Sequence, residues 1–204
     1  MRFNKKKFIY LISPLNIDKI FYKNLKYVLR QKKVSFFQLR LKSEEFKKKL
    51  IIGKKIKKIC KKFKVKFLIN DDVHLAIKLK ADGCHLGQND MNIHKARKLI
   101  GNKIIGITCH NSIKLAKVAL ENKADYLAFG AFYSTSTKKI KYKASLNILK
   151  KARKITKIPI VAIGGIKSDN YKKLLLNKAN LLAISSYIWR NKKLKPFEAI
   201  KKLK

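Results

Sequence analysis

Eight short β-type runs alternate with helical segments along 204 residues, and this alternation predicts an α/β fold: a single (β/α)8 TIM barrel. Two further observations support the barrel. The chain carries no linker, low-complexity stretch or second domain, so one domain spans residues 1–204. The rival, an open doubly wound sheet, would place G-x-G-x-x-G after the first strand, and no such motif stands there.

Residues 8–12 read as strand 1, and Ser13-Pro14 stops it. A helix over 17–31 puts Ile17, Ile20, Phe21, Leu25 and Val28 on one face. Strand 2 covers 36–40. Ser43 is expected to cap the next helix, with Glu44 and Glu45 in its first turn against the positive dipole end. Ile52, Ile56, Ile59 and Phe63 give that helix its core stripe. Strand 3 (65–69) leads to a helix near 72–80, and strand 4 (83–86) to a helix near 92–100. Strand 5 (103–109) precedes a helix over 111–122, with Ile113, Ala116, Val118 and Leu120 among its apolar members. Strand 6 covers 126–130. Residues 131–143 show neither period and read as a functional loop. A helix at 145–155, strand 7 (158–163), a helix over 168–177 and strand 8 (180–184) follow, and one last helix runs to the end. Pro159 starts strand 7, where its missing N–H is tolerated.

Composition narrows the function classes. The chain has 52 Lys+Arg against 11 Asp+Glu, a net charge of +41. The basic residues are almost all lysine and are spread over every helix, so a solvated surface explains them better than a specific nucleic-acid site. No apolar run approaches the ~18 residues that span a bilayer, and the basic-then-apolar start lacks a signal-peptide cleavage site. Cys60, Cys84 and Cys109 are odd in number and have no C-x-x-C spacing; small buried residues of a reducing, cytoplasmic protein are expected.

Four of the eleven acids (Asp71, Asp72, Asp82 and Asp90) fall within twenty residues. Asp71 and Asp90 each follow a short apolar run, so parallel strands would bring both to one sheet edge, where two carboxylates suit a hard cation. Asp72 fits a helix start and Asp82 a turn. In a barrel, chemistry gathers at strand C-termini. That edge collects Gln38, Arg40 and Lys42, Asn70 with Asp71, Asp90, Thr108 and His110, the Ser134-to-Lys138 loop, Gly164-Gly165, and Ser185-Ser186. Arg offers a fork and Lys a point charge for phosphate oxygens. Gly-Gly before a helix can cradle an anion, although a plain tight turn explains it equally well. His85 reads as a satisfied interior residue, and His74 and His94 as surface or packing groups on helices. No H-x-x-H spacing supports zinc; the donors favour Mg2+.

The chain resembles the thiamine-phosphate synthase family over nearly its full length. The resemblance is carried by Gln38-Leu39-Arg40-Leu41-Lys42, Ile69-Asn70-Asp71, Gly87-Gln88-Asn89-Asp90, Gly106-Ile107-Thr108-Cys109-His110, Thr135-Ser136-Thr137-Lys138 and Val161-Ala162-Ile163-Gly164-Gly165. It implies a phosphate-binding barrel that joins hydroxymethylpyrimidine diphosphate to a thiazole phosphate, releasing diphosphate. By the same resemblance, Asp71 and Asp90 hold Mg2+. Gln38, Arg40, Lys42, Asn70, Thr108 and Lys138 grip the pyrimidine diphosphate, with Arg40, Thr108 and Lys138 serving catalysis. Thr135, Thr137, Gly165, Ile184 and Ser185 seat the thiazole phosphate, and Tyr10 lines the pyrimidine pocket. Departures are Leu41 for the family's common Glu, Ala131 and Ser134 for Pro, and Thr108 for Ser. Two rivals stand beside this reading. One is a thiazole tautomerase of the same barrel family, with His110 as its acid–base group; the other is a basic polyanion-binding protein.

Overall fold

A computed structural model describes residues 6–134 and 142–204. Eight parallel strands close into a barrel in chain order: β1 (Ile9–Ile12), β2 (Val34–Leu39), β3 (Lys66–Asn70), β4 (Gly83–Leu86), β5 (Ile104–His110), β6 (Tyr126–Phe129), β7 (Ile160–Ile163) and β8 (Leu181–Ile184). Between them run α1 (Lys19–Arg30), α2 (Phe46–Lys62), α3 (Val73–Lys78), α4 (Ile93–Ile100), α5 (Ile113–Glu121), α6 (Leu146–Ile155) and α7 (Tyr171–Leu176). After β8 come α8 (Ser186–Trp189) and α9 (Pro196–Lys201). Among the described residues no helix is long and apolar enough to cross a membrane.

Strand alternation sorts the core into two shells. Tyr10, Ile12, Phe36, Leu68, Tyr126, Ala128, Val161, Leu181 and Ala183 fill the barrel. Their chain neighbours, such as Ile9, Leu11, Phe67 and Ile69, face the helices in a larger outer cluster. The inner shell is aromatic at its centre: Tyr10 packs against Phe36 (centroids 5.4 Å apart) and against Tyr126 (5.7 Å). Gly106 makes this possible, because a Cβ there would stand 1.8 Å from the Tyr126 ring.

Several local expectations are corrected. Ser43 is not a cap: Glu45, in extended conformation, is the N-cap of α2, so both glutamates precede the helix and Glu44 reaches Lys48 at 2.7 Å. Asp18 caps α1, accepting from the Phe21 N–H at 2.6 Å. Ile20 and Val118 are exposed, outside the stripes expected of them. Asn70 lies within β3, and β2 begins at Val34, which pairs with Ile9. The last helix is two helices. Asn191 accepts from the Lys193 and Leu194 N–H groups, and Pro196, which disfavours helix in the residue before it, starts α9. The helix after β7 begins at Tyr171, three residues later than the sequence suggests.

Candidate active site

The C-terminal edge brings β2, β3 and β4 together around three polar links. Gln38, 2% exposed, donates its amide N–H to Asn70 Oδ1 at 2.7 Å. Lys42 Nζ lies 2.8 Å from Asp71 Oδ2. Asp90 Oδ2 accepts the Gly87 N–H at 2.7 Å. Asp71 adopts a left-handed φ of 63°, uncommon for a residue with a Cβ, and its N–H binds the His85 carbonyl at 2.8 Å. Its neighbour Asp72 turns to other work, capping α3 by accepting from the Leu75 N–H at 2.8 Å. A cavity of about 250 Å³ opens on the helix side of this group, lined by Leu39, Leu41, Lys42, Asn70, Asp71 and Leu75 among others. Leu41 packs in the outer cluster against the helices and so faces away from the barrel mouth, as strand alternation requires.

Asp71 and Asp90 meet through their carboxyls, and their proton affinities diverge. Burial works against ionisation of both. At Asp71, hydrogen bonds from Asp90 and Lys42, with the Lys42 charge, outweigh burial and hold the carboxyl below its ordinary value. At Asp90, burial is joined by the bond to Asp71 and by its charge, and these outweigh the Gly87 N–H, so the group is raised. Asp90 is thus the more easily protonated of the two, the divergence expected of two apposed acids. Among the described residues no group of three or more His, Cys, Asp or Glu could hold a metal. A cation here would rest on these two carboxylates and on ligand oxygens.

Across the mouth, Thr108 on β5 touches His85, its hydroxyl 2.9 Å from Nε2, and the Gln88 amide donates to the Thr108 carbonyl. His85 is interior, as expected. Protein atoms surround it densely although the residue is only half-buried, and burial pushes its pKa down to about 4. Tyr10 is 1% exposed and sits in the layer beneath the mouth, its hydroxyl bonded to Tyr126. The residue past the end of β1 is Ser13, which the sequence reading passed over as a strand stop. It is 3% exposed; its hydroxyl accepts the Arg40 N–H at 2.9 Å, and its carbonyl accepts from the Ser185 hydroxyl at 3.1 Å. Ser13 thereby joins the ends of β1, β2 and β8.

At β7, Gly164 (φ 106°) and Gly165 (φ 62°) need glycine both for backbone and for space, since a Cβ on Gly165 would come 2.2 Å from the Ser134 carbonyl. Asn170 holds the turn by donating to the Gly165 carbonyl at 3.0 Å. Ile184 points its side chain into the outer cluster, so only its backbone can face a ligand. His110 ends β5 in a left-handed φ of 51°, its ring 4.3 Å from that of Tyr142. His74 and His94 are exposed on helices, and all three cysteines are free and buried. Thr135, Thr137 and Lys138 lie outside the described residues.

A barrel whose polar groups converge at one edge is common to many enzymes, so its relatives decide among them. The family described as thiamine monophosphate synthase matches residues 9–188. The chain belongs to that family. It is 70% identical, over the whole of both chains, to a thiamine-phosphate synthase of Pelagibacter ubique. It is 38% identical to the enzyme of that name from Nitrosomonas eutropha, covering 89% of this chain and 86% of the relative. Among solved structures, a thiamine phosphate pyrophosphorylase from Pyrococcus furiosus superposes with a TM-score of 0.86 at 28% identity, covering 98% of this chain and 94% of that one. Membership in the thiamine monophosphate synthase family makes the chain an enzyme of thiamine biosynthesis, a transferase.

Proposed function

We propose that the chain condenses an aminopyrimidine bearing a hydroxymethyl diphosphate with thiazole phosphate, giving thiamine phosphate and free diphosphate. The observation that carries this reading is the Asp71–Asp90 pair beside Lys42. Two apposed carboxyls suit a hard cation between them, and a thiazole tautomerase would have little use for them. The donor set fits Mg2+, which accepts one or two carboxylates and takes its remaining oxygens from phosphate and water. Bound there, Mg2+ would supply charge stabilisation to the departing diphosphate.

The side chains account for the rest. Because Gln38 spends one amide N–H on Asn70 Oδ1, Gln38 Oε1 remains as an acceptor and the Asn70 amide as a donor. That pairing complements the amino group and ring nitrogens of an aminopyrimidine. Arg40, Lys42 and Lys138 supply positive charge for the diphosphate. The C–O bond to diphosphate breaks and takes the electron pair with it; the thiazole nitrogen's lone pair then makes the C–N bond. No proton leaves the reacting carbon, so positioning and charge suffice. Thr135, Thr137, Gly165, Ser185 and the Ile184 backbone would seat the thiazole phosphate at the ends of β6 to β8, where barrels commonly bind phosphate. The three buried free thiols accord with work in a reducing cytoplasm.

The deciding experiment is diphosphate release with each substrate omitted in turn, with and without chelator. Release should require both substrates and Mg2+, and Asp90→Ala should lose about 100-fold or more. Chelator-insensitive release, or an Asp90→Ala variant as active as wild type, sinks the reading.

A further inference from the structure

Beneath the mouth of the barrel four polar side chains from four strands form a continuous line. The Tyr10 hydroxyl (β1) lies 2.8 Å from the Tyr126 hydroxyl (β6), which lies 2.9 Å from His85 Nδ1 (β4); His85 Nε2 lies 2.9 Å from Thr108 Oγ1 (β5). Tyr126 stacks on the His85 ring, with centroids 5.6 Å apart and planes 14° apart, in the space that Gly106 vacates. Nothing in the proposed chemistry uses Tyr10, Tyr126 or His85 directly.

With the imidazole neutral, the line holds four hydrogens (two phenols, one ring N–H, one hydroxyl) and three links. One hydrogen is therefore left over, on Tyr10, Tyr126 or Thr108. If the ring proton is on Nδ1, the leftover belongs to Tyr10 or, where Tyr10 donates to Tyr126, to Tyr126. Both hydroxyls are 1% exposed and meet only each other and Nδ1 among the described residues, so a buried O–H would go without an acceptor. If the links point up, Tyr10 donates to Tyr126, Tyr126 donates to Nδ1, and the Nε2 hydrogen goes to Thr108. The leftover is then the Thr108 O–H, which is half-buried at the mouth where a ligand can take it. The upward direction satisfies every buried donor.

We propose that Tyr10, Tyr126 and His85 are positioning residues that fix the Thr108 hydroxyl as an obligatory hydrogen-bond donor, so that the site selects a substrate with an acceptor atom there. The matching atom is a ring nitrogen or phosphate oxygen of the pyrimidine substrate. The inference rests on Thr108 being a substrate contact in the synthase reading.

NMR of the histidine ring nitrogens in labelled wild-type protein tests the line itself. The His85 proton should reside on Nε2 with Nδ1 bare, and a proton on Nδ1 overturns the proposal. Kinetics test its consequence. Tyr126→Phe should raise KM for the pyrimidine diphosphate about five- to tenfold with kcat changed less than about twofold, and should add nothing further in a Thr108→Val background. An equal effect of Tyr126→Phe in both backgrounds would mean that it acts on packing alone, and overturns the proposal. If wild type releases no diphosphate from the two substrates, the synthase reading fails while the ring-nitrogen measurement still decides the direction of the line. That measurement needs no variant, so it stands even if Tyr126→Phe does not fold.

Discussion

Asp82, Asp125 and Asn180 stand one residue before β4, β6 and β8, and each accepts an N–H at the start of the preceding odd-numbered strand. Phe67 donates to Asp82 at 2.8 Å, Ile105 to Asp125 at 2.8 Å, and Ile160 to Asn180 at 2.9 Å. Each also holds a basic side chain: Lys66, Arg97 and Arg153 in turn. At the opposite edge Asp71 and Asp90 have Lys42, one backbone N–H and each other. The N-terminal edge spends its polar groups on closing the barrel, and the C-terminal edge leaves two acids half-satisfied. An acid with a strand N–H and a cation around it is finished structure; an acid whose partner is another acid has capacity for something else.

The comparison breaks if the two edges respond alike to truncation. Asp71→Ala should cut diphosphate release by about 100-fold or more while leaving the midpoint of urea unfolding nearly unchanged, because it relieves a like-charge contact as it loses Lys42. Asp125→Ala should do the reverse. It strands the Ile105 N–H and leaves Arg97 without its carboxylate, at a cost of about 2 kcal/mol of unfolding free energy. Its folded fraction should turn over as wild type does. A loss of activity without a loss of stability in Asp125→Ala would erase the distinction.

The strands were legible in the sequence because each is a compact apolar run, and Gly83 to Leu86 matches residue for residue. The edges of elements were less so. Ser43 has the chemistry of a cap, yet the chain enters α2 only after Glu45, and nothing local distinguishes Ser43-Glu44-Glu45 from a true capping stretch. At the site, the strand-end rule placed Gln38, Asn70, Asp71, Asp90 and Thr108 on one edge. Applied one residue past β1, it would have found Ser13 too. The N-terminal device was half visible as a repeat, Ala81-Asp82, Ala124-Asp125 and Ala179-Asn180 before every second strand from β4 onward. Its meaning depends on which N–H groups lie level with those side chains, a matter of barrel stagger that no local pattern encodes. Tyr126 and His85 were hidden for the same reason: period two says that they point inward, not that they meet.

Magnesium sharpens the contrast without any turnover. Present at about ten times its Kd, Mg2+ should stabilise the wild-type fold by about 1.4 kcal/mol, or about 3 to 6 °C in Tm for a chain of this length. A variant carrying Asp71→Asn with Asp90→Asn should show no shift, and Asp82→Asn should keep it. An equal shift in the Asp71/Asp90 double variant would place the cation elsewhere.

The smallest expected effect is the pH dependence of the acid pair. Burial and the bond to Asp71 raise Asp90, so the fold prefers its protonated form. That contribution is fully present below the unfolded-state value and is lost as pH rises through the raised one. Asp71, held low by its hydrogen bonds and the Lys42 charge, contributes the opposite way: its share is present above the ordinary aspartate value and is lost as pH falls through the lowered one. Asp90→Asn keeps a side chain of the same shape and removes the titration. The stability of wild type relative to Asp90→Asn should therefore decline as pH rises from below the ordinary aspartate value towards neutrality. Solvent screening at this half-open position holds the change to less than about 1 kcal/mol. Urea titrations of both proteins across that range read it directly. A difference that stays flat across that range would mean that Asp71 and Asp90 titrate independently and do not act as a pair.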